Sequence, residues 1–128
     1  MRLELFAMSF LGEGPILVVE DDSETREALS DLLRLCGYTV FEAENGEAAL
    51  DKLNSGAPSP ALIVLDLAMP VMDGYTLLNR LRSDERARDI PVIVTTSNPP
   101  DAPLDGATVL AKPVRPQRLL QLVERLVH

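Results

Sequence analysis

A chain of 128 residues is the length of one domain, enough for a single core and too short for two. Its composition, 46% hydrophobic and 25% charged, excludes a disordered chain, and a net charge of −8 without a basic stripe excludes nucleic acid, whose phosphates need clustered Lys and Arg. The single cysteine, Cys36, excludes an internal disulfide and reads as a small buried apolar residue, while no apolar run reaches the roughly 20 residues of a membrane span, so a cytoplasmic location is expected.

Residues 1–14 read as a short N-terminal extension, with residues 15–128 forming the domain. The extension is rich in apolar side chains, but Glu4 interrupts it and Arg2 is its only base, unlike a signal peptide. Pro15 to Val19 is a first buried strand. Asp22 or Ser23 can cap the following helix, whose Ala28, Leu29, Leu32, Leu33 and Cys36 form one apolar face and which Gly37 ends. Tyr38 to Glu42 alternates as a short second strand. Asn45-Gly46 precedes a helix from Glu47 to Leu53, and the Ser, Gly and Pro residues of 54–60 form a linker.

Ala61 to Leu65 is a third strand, closed by Asp66, and a helix spans Tyr75 to Leu81 after the turn Asp73-Gly74. Ile90 to Thr95 and Ala107 to Ala111 are the fourth and fifth strands. Pro116 suits the first turn of a last helix whose Leu119, Leu122, Val123 and Leu126 follow helical spacing. Strand alternating with helix implies an α/β fold, a doubly wound five-stranded parallel sheet with right-handed crossovers. One crossover departs from this pattern. Pro99, Pro100 and Pro103 lie between the fourth and fifth strands and forbid a regular helix through most of that segment, leaving at most one turn around 102–106.

Polar groups stand at four strand ends: Glu20 and Asp21, then Asp66, Thr96 and Lys112. In the flavodoxin-like order 2-1-3-4-5 the topological switch point falls between the first and third strands, between Asp21 and Asp66. Two carboxylates with open positions beside them suit Mg²⁺, which keeps several waters and takes one or two protein carboxylates plus phosphate oxygens. Singly, each residue has a plainer reading. Asp66 could be a turn residue, Glu20-Asp21-Asp22 a solvated or capping cluster, Thr96 a turn hydroxyl and Lys112 a surface charge. Their joint placement points to a site, with Asp22 left as a cap.

The segments Ile16-Leu17-Val18-Val19-Glu20-Asp21-Asp22, Val64 through Gly74, Pro91 through Ser97 and Ala111-Lys112-Pro113 resemble the receiver domain of two-component response regulators. The resemblance implies that Asp66 is the phosphoacceptor, taking a phosphoryl group from a histidine kinase or histidine phosphotransfer protein. It implies Mg²⁺ held by Asp21, Asp66 and the Ala68 carbonyl, with Glu20 acting directly or through a water. It further implies Lys112 and the Thr96 hydroxyl on phosphoryl oxygens, a cis bond before Pro113, and an output protein of unknown identity. Donor recognition would fall near Glu24, Glu27, Ala28 and Asp31 and on residues 114–116.

Two features depart from the family pattern. Receivers usually carry a rotating aromatic on strand five where this chain has Val109. Thr96 and Lys112 are 16 positions apart (112 − 96), too few for two loops and a full fourth helix, so that helix is expected missing or reduced. These departures suggest phosphorylation chemistry retained without signalling through the usual helix-four face. Two rival functions are a receiver-like interaction module without phosphorylation and an aspartyl-phosphate hydrolase. The hydrolase needs an acid/base Asp two positions after the nucleophile, where Ala68 stands, and the protein would otherwise catalyse only its own phosphorylation and dephosphorylation.

Overall fold

The computed structural model describes residues 14–69, 72–104 and 106–127. The expected extension therefore lies outside the described residues apart from Gly14. Five strands, β1 (Ile16–Val19), β2 (Val40–Ala43), β3 (Leu62–Asp66), β4 (Val92–Thr96) and β5 (Ala107–Ala111), form one sheet. All neighbours pair in parallel, in the order β2-β1-β3-β4-β5 expected from the sequence. Helices α1 (Ser23–Leu35), α2 (Gly46–Leu53), α3 (Gly74–Ser83) and α4 (Pro116–Val127) cover it.

Every residue of β1, β3 and β4 is buried, because alternate side chains enter two cores. Leu17, Val19, Ile63, Leu65 and Val94 pack with Ala49 of α2 and Leu77, Leu78 and Leu81 of α3. Ile16, Val18, Leu62, Val64 and Ile93 pack with Leu29 and Leu33 of α1 and Leu119, Leu122 and Val123 of α4. Among the described residues no helix is long and apolar enough to cross a membrane.

The helix starts follow the sequence. Asp22 caps α1 by accepting the Thr25 N–H at 3.0 Å, Asn45 caps α2 through the Ala48 N–H at 2.8 Å, and Asp73 caps α3 through the Thr76 N–H at 2.8 Å. The cap hydrogen bonds hold the Asp22 and Asp73 carboxyls below their usual range. Gly37 ends α1 as expected, but the strand after it starts later than Tyr38. Gly37, at φ +94°, donates to the Arg34 carbonyl, and Tyr38 donates to the Leu33 carbonyl at 3.2 Å. Tyr38 thus completes the helix end, and β2 begins at Val40.

The buried face of α1 is also rotated from the expected one. Leu29, Ser30 and Leu33 are buried, Ala28 is exposed, and Cys36 is only half-buried at the C-cap. Ser30, fully buried, takes the place on the inner face that Ala28 was expected to take.

Between β4 and β5 the described residues contain no helix, so the fourth crossover is a loop. Arg82, in the last turn of α3, ties the end of this loop to the connection between α3 and β4. Its guanidinium donates to the carbonyls of Arg88 at 2.8 Å and Ile90 at 3.1 Å, and to that of Gly106. Gly106 has φ +70°, a left-handed backbone conformation that favours glycine.

Candidate active site at the carboxyl end of the sheet

The polar residues singled out in the sequence converge where β1, β3, β4 and β5 end. Asp66 is the last residue of β3 rather than the first of the loop, and Thr96 likewise ends β4. Glu20 and Asp66 are nearly sealed, at 2% and 3% exposed, while Asp21 stands at the mouth in solvent. One carboxylate oxygen from each of Glu20, Asp21 and Asp66 lies within 4.8 Å of the others.

Lys112 enters this group from the end of β5. Its Nζ lies 3.3 Å from Glu20 Oε1 and 3.3 Å from Asp66 Oδ1. Asp66 Oδ1 also accepts the Ala68 N–H at 3.3 Å, so two donors fix this carboxylate. The Lys112–Pro113 peptide bond is cis, as the resemblance implied. Thr96 is 6% exposed, and its hydroxyl oxygen accepts the Asn98 N–H at 3.1 Å.

The electrostatics are those of two buried acids facing one ammonium, with the Asp21 carboxylate beside them. Burial, reinforced by the neighbouring Asp66, pushes the Glu20 carboxyl up to about 7, against the pull of the Asp22 N–H. Burial draws the Lys112 ammonium down, but facing Glu20 and Asp66 outweighs this and holds it above its usual value. Lys112 therefore stays charged. The donor set is oxygen only, deep in the cleft and open at Asp21, which suits a hard cation that retains waters.

The sequence profile of the response regulator receiver domain matches residues 16–124. This chain belongs to that family. The receiver is 36% identical over 116 residues to the chemotaxis protein CheY1 of Helicobacter pylori, covering 85% of this chain and 93% of CheY1. The receiver domain of the hybrid histidine kinase CckA is similar at 34% identity and a TM-score of 0.78, with 90% of this chain and all (100%) of that chain covered. The receiver domain of sensor histidine kinase PA1611 of Pseudomonas aeruginosa PAO1, described with a magnesium ion coordinated in its active-site cleft, is 27% identical at a TM-score of 0.79. That match covers 89% of this chain and 97% of the other.

Two residues that hold the receiver's site together carried no signal in the sequence. Arg26 donates to the Glu20 carbonyl at 2.8 Å and pairs with Glu42 at 3.3 Å, tying α1 to the ends of β1 and β2. Its position one turn into a helix is ordinary for a surface cation. Gly74 read as part of a turn, yet a Cβ there would lie 2.6 Å from the Asp66 carbonyl oxygen and from the Leu67 Cα. Its N–H donates to the Leu67 carbonyl at 2.9 Å, so α3 starts directly against the backbone that carries Asp66.

Proposed function

We propose that this receiver, as the unit formed by residues 15–128 of a cytoplasmic signalling protein, accepts a phosphoryl group on Asp66 from a phosphohistidine of a kinase or phosphotransfer protein. The observation that carries the reading is Lys112 Nζ at 3.3 Å from both Asp66 and Glu20, with the Asp21 carboxylate at the open mouth of the same cluster. Asp66 Oδ1 is held by Lys112 and the Ala68 N–H, which leaves the other oxygen to attack phosphorus. The new bond is Asp66 oxygen to phosphorus, and the bond broken is phosphorus to the donor imidazole nitrogen, which departs with its electron pair.

Glu20, Asp21, Asp66 and the Ala68 carbonyl would hold Mg²⁺, which supplies the positive charge that lets two anions approach. Lys112, released from its pairing with Asp66, would meet a phosphoryl oxygen. Thr96 accepts from Asn98, so its own O–H remains available to donate to a second oxygen. The donor would dock over α1 and residues 114–116. There a groove of about 460 Å³ is lined by Glu24, Ala28, Leu32, Val114 and Pro116 beside Lys112, and the exposure of Ala28 fits a contact.

A receiver-like module without phosphorylation is the second reading, favoured by Val109 and the loop in place of a fourth helix. Beryllofluoride with Mg²⁺, followed by NMR, separates the two. The phosphoacceptor reading expects the amides of Thr96 and Lys112 to shift, and unmoved amides at both positions would establish the module.

A further inference from the structure

Glu20 and Asp21 are neighbours in the chain, and in an extended backbone neighbouring side chains leave opposite faces of the sheet. Their carboxylates nevertheless offer oxygens within 4.8 Å of one another and of Asp66. β1 ends at Val19, and the peptide joining the two acids must be turned out of the strand and kept there. On the strand side it is secured by the Glu20 N–H, which donates to the Ala43 carbonyl at 3.0 Å. Its carbonyl, that of Glu20, is held by Arg26 alone among the described residues. Arg26 Nη1 donates to it at 2.8 Å and reaches the Asp21 carbonyl at 3.5 Å.

Arg26 is itself fixed. Its Nε meets Glu42 Oε1 at 3.3 Å, and the other Glu42 oxygen takes Arg34 Nη2 at 3.2 Å, so each carboxylate oxygen serves one guanidinium. Both side chains of the Arg26–Glu42 pair are largely covered, at 18% and 28% exposed. The helix gives no reason for this cation, because one turn into α1 the helix dipole disfavours positive charge. Nor is Arg26 needed to join α1 to β2. Arg34 already links the same helix to Glu42 and to the Val40 carbonyl at 3.1 Å. What Arg26 alone reaches is the backbone that carries two of the acids.

We infer that Arg26, oriented by Glu42, is a positioning residue for the cation site, fixing the Glu20–Asp21 peptide so that both carboxylates face Asp66. It touches neither the cation nor the phosphoryl group. Its own charge opposes a nearby cation and is offset by Glu42, so what it contributes is geometry. Mg²⁺ demands a near-octahedral set of oxygens whereas Ca²⁺ accepts irregular ones, so the contribution favours Mg²⁺. The inference deepens the proposed function and rests on its cation site.

The test is titration of the full chain with Mg²⁺ and, separately, with Ca²⁺, followed by NMR amide shifts and without any phosphoryl donor. Arg26→Gln should weaken Mg²⁺ binding about tenfold, as the loss of a group that orients metal ligands does. Arg26→Lys keeps the charge but lacks the planar fork that spans Glu42 and the carbonyls, and should weaken it at least about fivefold. Ca²⁺ binding should change less than about threefold in both variants. Arg34→Gln removes the other partner of Glu42 and should leave both affinities as they are.

Mg²⁺ binding that tightens in Arg26→Gln and stays unchanged in Arg26→Lys marks a charge effect alone and would overturn the inference. Equal losses for Mg²⁺ and Ca²⁺, or the same loss in Arg34→Gln, mark general loosening and would overturn it as well. If Arg26→Gln does not fold, Arg26→Lys decides. A wild type that binds no Mg²⁺ removes the inference together with the proposed cation site, whereas unaltered Mg²⁺ binding in the Arg26 variants removes the inference and leaves that site standing.

Discussion

The β1–β3 half of the sheet and its β4–β5 end are built on different principles. In the first, strands buried on both faces run between helices, and the carboxylates at their ends are positioned by the core beneath them. At the other end β5 is only partly buried, the crossover before it has no helix among the described residues, and a single guanidinium gathers three carbonyls to hold the chain in place. The contrast teaches that the acidic pocket and the element usually coupled to it are structurally separable. The carboxylates stand on the β1 and β3 ends, while Thr96 and Lys112 reach them from β4 and β5 without a helix in the described part of the crossover between those strands.

Four substitutions probe this division. Ile63→Ala, at a fully buried position of β3, should cost about 3–4 kcal/mol in urea unfolding, because apolar contacts and packing are lost together. Gly74→Ala should cost about 2–3 kcal/mol, since the new methyl must push α3 away from the Asp66 carbonyl. Arg82→Ala should cost about 1–2 kcal/mol and accelerate exchange of β5 amides before those of β1, because three carbonyls lose a donor at the surface side of the fold. If Arg82→Ala were as costly as Ile63→Ala, or opened β1 and β5 together, the two ends would not be held differently.

The smallest effect belongs to Ser30→Ala. The Ser30 hydroxyl is sealed with no hydrogen-bond partner among the described residues, so its removal should leave stability unchanged or raise it by up to about 1 kcal/mol. A clear loss of stability would show that the hydroxyl is satisfied in solution.

The same division explains what was legible in the sequence. The strands, their polar ends and the loop in place of a fourth helix followed from apolar runs and prolines, which are local signals, whereas the order 2-1-3-4-5 and with it the convergence of Glu20, Asp21, Asp66, Thr96 and Lys112 rested on the precedent of the flavodoxin-like sheet. The rotated face of α1 was not legible, because Ala28 and Ser30 are both small and only the approach of the sheet decides between them. Nor were the braces, because Arg26 and Arg82 act on backbone carbonyls that the fold brings to them. The need for glycine at position 74 is likewise a contact between segments rather than a property of its turn.

The central claim is that Asp66, held by Lys112 beside two other acids, is a phosphoacceptor. Incubation with acetyl phosphate and Mg²⁺, followed by intact-mass measurement of the wild type and Asp66→Asn, tests it most directly. The account predicts one added phosphoryl group on the wild type, none on Asp66→Asn, and none on the wild type when Mg²⁺ is chelated. A wild type that takes up no phosphoryl group, or equal labelling of Asp66→Asn, would contradict it.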